Sequence, residues 1–212
     1  MSVKKPKLAV TKLENIILVL VFGGIAPIFC FLSGWWGAYF FAPESQIPFF
    51  MLTGLGLGII IDLLFLGKWV KLAYRISPLI LITIYLFYSV GVFGFFMGVP
   101  VFNIVMGPLA GFYIGRRLGF EKGSFKEQEK IIHWICLFTS FVLGVACLAA
   151  LVLAASESTL AANINGMLKD MLGLKTIFEN QTLLILSAIT GIGMVVAEYY
   201  LTRAAAKKVA HQ

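Results

Sequence analysis

Residues 47–75 read IPFFMLTGLGLGIIIDLLFLGKWVKLAYR: an apolar run from Ile47 to Gly67 interrupted by one charge, Asp62, and followed closely by Lys68, Lys71 and Arg75. At ~1.5 Å per residue such a run is long enough as a helix to cross a ~30 Å hydrocarbon core. The cations at one end mark that end as cytoplasmic. The rest of the chain repeats the pattern. Its 212 residues are 60% hydrophobic, 14% aromatic and 13% charged, with a mean hydropathy of +0.94. A water-soluble domain carries about a quarter charged residues, so a soluble globular fold is excluded. Disorder needs the opposite composition, and a transmembrane β-barrel needs ~10-residue alternating segments rather than continuous runs.

Working outward from 47–67, the runs predict an all-α membrane protein. It is a six-helix bundle forming a single polytopic domain over residues 1–212, with spans at about 13–42, 47–67, 78–97, 101–115, 131–155 and 182–202. The first run is too long for a signal-peptide core and is kept as a span. The fourth is short and reads as a re-entrant or broken helix. Six spans place 15 of the 17 basic residues on one face, leaving only Lys169 and Lys175 on the other. Both termini are therefore expected in the cytoplasm, in a plasma (inner) membrane. The same distribution explains the net charge of +7 without a nucleic-acid partner, and the lipid bilayer is the expected counterpart. Trp35, Trp36 and Tyr39 fall near the outer end of span one, and Trp69, Tyr74 and Trp134 near inner ends, as interfacial belts do. Between spans five and six, Leu160, Ile164, Met167, Met171 and Leu174 recur at helical spacing, which predicts an amphipathic helix on the outer surface.

Chemistry-bearing residues are few. Cys30, Cys136 and Cys147 lie inside apolar runs and read as small hydrophobes. His133 and His211 are too few for a haem or a metal cage, and there is no phosphate loop, nucleophile elbow or zinc motif. Neither a metal, a cofactor nor an enzymatic activity is expected. Two acids lie within spans, Asp62 and Glu198, both toward cytoplasmic ends. Intramembrane acids are expensive, and these two are candidates for a gate or for ion coupling, within possible reach of each other or of Arg116 and Arg117. Span four is interrupted at Gly107-Pro108 with Asn103 one turn earlier, and span one at Gly23-Gly24 and Pro27. Matched breaks in two halves point to a midplane site, so Asn103, Gly107 and Pro108 form the candidate. Small residues at four-residue spacing allow close helix packing: Gly54 and Gly58, Gly94 and Gly98, Gly111 and Gly115, with Ser33 and Gly37 and also Ser187 and Gly191 repeating it.

These features favour a small transporter, or the membrane-embedded substrate-binding subunit of one, handling a small solute. The alternative is a non-catalytic assembly or scaffold subunit that docks another membrane protein, or a second copy of itself, through the glycine faces.

Overall fold

The computed structural model describes residues 11–96, 98–121, 123–157, 159, 161–162, 165–166, 169–170, 173 and 178–210. All regular structure among them is helical: α1 Lys12–Gly23, α2 Ile25–Phe41, α3 Ile47–Leu72, α4 Pro78–Phe95, α5 Met106–Glu121, α6 Phe125–Ser156 and α7 Asn180–Ala210. Among the described residues, five stretches are long and apolar enough to cross a membrane: α1 with α2, α3 with its flanking turns, α4, α6 and α7. The 16-residue α5 is not one of them. The expected fourth span, 101–115, is divided between a 3₁₀ segment, Pro100–Val105, and the start of α5, which continues to Glu121. Of the expected surface helix, Ala161, Ala162, Asn165, Gly166, Lys169 and Asp170 are helical; the apolar stripe that defined it lies outside the described residues.

Two compact units make up the chain, Met1–Leu81 and Ile82–Gln212. In the first, α2 and α3 form an antiparallel pair. Pro27 has no amide to offer the Gly23 carbonyl one turn back, and the helix is interrupted at Gly24, between α1 and α2. Gly58 receives the bend: a Cβ there would collide with Pro27 Cα and the Ala26 carbonyl. Further along the seam, Gly54 lies on the Cys30 carbonyl and Gly34 on the Phe50 carbonyl. The mate of Gly54 and Gly58 is thus the row Ala26, Cys30 and Gly34, while Gly37 meets nothing within 4 Å.

A polar lock holds the other end of this unit. Thr11 and Glu14 form a capping box at the start of α1. Glu14 is only 1% exposed, and the Tyr74 hydroxyl donates to its carboxylate. Tyr74 is therefore buried in the protein and does not belong to an interfacial belt, whereas Trp35, Trp36 and Trp134 are exposed as expected.

In the second unit α7 packs against both α5 and α6. A capping box at Ser124 and Glu127 starts α6, and Gly98, at φ +80°, ends α4 with its amide on the Phe93 carbonyl at 2.8 Å. Gly98 therefore turns the chain rather than packing helices, and Gly94 has open space where a Cβ would be. At the far end of α7, Glu129 of α6 holds Lys207 at 2.6 Å and Arg203 at 3.4 Å.

Candidate functional site

Gly107-Pro108, expected to interrupt span four, instead falls at the start of a continuous α5 and meets the second unit's buried acid. Pro100 and Val99 start a 3₁₀ turn whose last residues run directly into α5, so Gly107 and Pro108 fall in the first turn of that helix. Proline is tolerated there because first-turn amides lack intrahelical partners anyway. Gly107, Gly111 and Gly115 then line one buried face of α5. A Cβ at Gly107 would overlap Glu198 Oε1 and Thr202 Oγ1, one at Gly111 the Thr202 carbonyl, and one at Gly115 the Ala206 carbonyl. With no Cβ between them, the backbones of α5 and α7 touch. This close approach seats the Glu198 carboxyl on the end of α5.

Glu198 is 0% exposed, and no well-formed hydrogen bond or ion pair reaches either carboxylate oxygen among the described residues. The Gly107 amide is the backbone group that faces it. The partial positive charge of a helix N-terminus favours an anion at that spot. One turn along α7, Thr202 is also fully buried. Thr139 Oγ1 donates to the Cys136 carbonyl at 3.2 Å, so the 3.3 Å contact between Thr139 and Thr202 uses the Thr202 proton. Thr202 therefore turns only lone pairs toward Gly107 and Glu198.

Asn103 lies one turn before Gly107 and is 3% exposed. Its amide nitrogen donates to the Ser89 carbonyl at 2.8 Å, and its Oδ1 has no partner. Ser89 Oγ is likewise buried, beside the Tyr85 hydroxyl. Tyr85, its ring tilted against that of Phe138 with centroids 5.3 Å apart, faces Ser89 and lies within electrostatic reach of Glu198. Gly107 and Glu198, which sequence reasoning placed in two separate lists, thus meet, and Asn103 is buried one turn before Gly107.

The arginines are elsewhere. Arg117 pairs with Glu121 at 2.8 Å and Arg116 stacks over Phe120 at 5.0 Å, roughly 13 Å along α5 from Gly107. Neither meets Glu198. The acid that gathers cations near the end of α7 is Glu129, which the sequence hid in a charged stretch between Lys126 and Lys130. Thr139, Thr202, Ser89 and Tyr85 were also missed. Hydroxyl residues are common in apolar helices, and no sequence signal distinguishes those that face an acid. His133 shares a 2.8 Å hydrogen bond with Tyr199.

Asp62 belongs to the first unit. It is half-buried, with Oδ1 unpartnered, and it lines a groove of about 670 Å³ with Asn15, Gly23, Pro27, Leu66 and Lys71. Among the described residues, no three His, Cys, Asp or Glu side chains are grouped as a metal site. Compared with known protein families, characterised proteins and solved structures, the chain matches none of them.

Proposed function

We propose that the protein is a small transporter, or the membrane-embedded substrate-binding subunit of one, with both termini cytoplasmic in a plasma (inner) membrane. In this reading a small solute binds near the break in the fourth span and Glu198 couples or gates its movement. One observation carries the reading: a fully buried acid without a countercharge, seated on the first turn of α5. An uncompensated buried carboxyl is expensive. A stable scaffold gains nothing from one, whereas a carrier uses it to take up and release charge. Asp62, in its own groove, is the second coupling candidate, and Arg116 and Arg117 serve at the cytoplasmic end of α5. The rival scaffold reading relies on free glycine faces, and those of α3 and α5 are filled from within the chain by α2 and α7.

Native mass spectrometry of the protein, gently solubilised from its own membrane, tests the proposal. The expected result is a bound small molecule that is lost in Glu198→Gln. A protein partner in fixed stoichiometry with no small ligand, in wild type and variant alike, refutes it and favours the scaffold subunit.

A further inference from the structure

We propose that Glu198 is a proton carrier: its carboxyl is the neutral acid while α5 and α7 lie together, and it gives up the proton to water when that seam parts. The inference deepens the transport reading by naming the proton as the coupling ion, and it rests on Glu198 being the coupling group.

Position and donor accounting carry it. Glu198 Oε1 and Thr202 Oγ1 crowd the same point, the place where a Cβ on Gly107 would stand. Two buried oxygens side by side need a proton between them, because otherwise only lone pairs meet. Thr202 cannot supply it: its proton goes to Thr139, whose own proton goes to the Cys136 carbonyl. The Tyr85 and Ser89 hydroxyls face each other, and Asn103 Nδ2 donates to the Ser89 carbonyl. Neither these groups nor any other among the described residues make a well-formed hydrogen bond to a Glu198 oxygen. A proton on the carboxyl itself is the remaining source, and the O–H of the neutral acid has the Thr202 lone pairs beside it.

Charge gives the same answer. Glu198 is fully buried, and a buried carboxylate needs a cation or several donors. Arg203 and Lys207 are held by Glu129, and Arg117 by Glu121. The Gly107 amide and the start of α5 favour an anion, but their effect is small beside the cost of an unpaired buried charge. The other titratable groups near Glu198 are Tyr85 of α4 and Cys136 of α6, both uncharged at neutral pH. His133 of α6 is bonded to Tyr199 of α7, and the 3₁₀ segment and first two turns of α5 hold no titratable side chain. Ionisation breaks the Glu198 O–H bond, passes the proton to a water molecule and leaves the carboxylate. The closed seam admits neither the water nor the charge, so proton exchange is tied to its opening.

The test is infrared spectroscopy of the purified full-length protein at neutral pH, read at the carbonyl stretch of protonated carboxyl groups. Wild type is expected to show such a band that Glu198→Gln loses and that Glu44→Gln, an exposed change in the other unit, leaves in place. On transfer to deuterium oxide the band should shift slowly, at the rate of seam opening. Gly111→Ala, which forces the seam apart, should speed that shift roughly tenfold. Absence of the band, or its survival in Glu198→Gln, overturns the proposal. A shift as fast as that of an exposed acid, or one unaltered by Gly111→Ala, overturns it too. If Glu198→Gln does not fold, Glu198→Asp decides: it should move the band without erasing it, and an unmoved band overturns the assignment. No band, with a bound solute still lost in Glu198→Gln, removes the proton carrier and leaves the transport reading standing. A band with a fixed protein partner and no solute removes the transport reading, and the coupling role with it.

Discussion

Replacing Gly111 with alanine tests whether the α5–α7 seam sets the site. The new Cβ would overlap the Thr202 carbonyl, which is backbone and cannot rotate aside. Restoring ordinary contact means moving the two helices apart by about 1 Å, and interiors resist such shifts because they are close-packed. Gly107 and Gly115 lie four residues to either side on the same face, so the seam cannot open at one point without opening along its length. Overpacking of this kind costs about 1–3 kcal/mol. Alanine also gains up to ~1 kcal/mol of helix propensity over glycine, which partly offsets the loss. Gly193→Ala isolates that gain, because nothing lies within 4 Å of a Cβ at Gly193 on the same α7 helix. At roughly 2–4 °C per kcal/mol for a chain of this size, Gly111→Ala should melt about 2–12 °C below Gly193→Ala. The assay is loss of the monodisperse size-exclusion peak of heated, detergent-solubilised protein. Equal melting of the two variants would refute the seam. A scaffold role for the same glycine face predicts a different outcome, a stable chain that has lost only a partner.

Two further predictions follow from the fold and the charge pattern. Tyr74→Phe removes the hydroxyl that donates to buried Glu14 and should destabilise the chain by about 1–3 kcal/mol; a melting temperature equal to wild type would mean that the lock contributes nothing. Single cysteines placed at Ser2 and Ser158 in a background without Cys30, Cys136 and Cys147 should react with impermeant reagents from opposite sides of the membrane. Reaction of both from one side would overturn the six-span topology.

Hydropathy was enough to locate the apolar helices, since it depends only on neighbours along the chain. The runs at 47–67, 78–97, 131–155 and 182–202 each lie within a helix of the structure to within a residue or two, although three of those helices extend further. Extension past Gly67 to Leu72 and past Thr202 to Ala210 carries helix into charged sequence, where hydropathy no longer signals it. Gly107-Pro108, expected as an interruption within a span, lies instead in the first turn of α5, where a proline's missing amide costs nothing.

What the sequence by itself determined is therefore an all-helical chain with membrane-length apolar segments, cations gathered between those segments, and two acids embedded in apolar runs. Tertiary structure alone decided which of those acids is sealed. Glu198 lost all exposure because glycines let α5 lie directly on it, while Asp62 stayed beside an open groove. It alone decided that Gly34 packs and Gly37 does not, that Glu14 finds Tyr74 sixty residues away, and that Glu129 rather than Glu198 takes the cations of α7. The physical reason is the solvent. Lipid is as apolar as a protein core, so a membrane helix carries no polar face to mark its outside. Which face turns inward is settled only by the shapes that meet there.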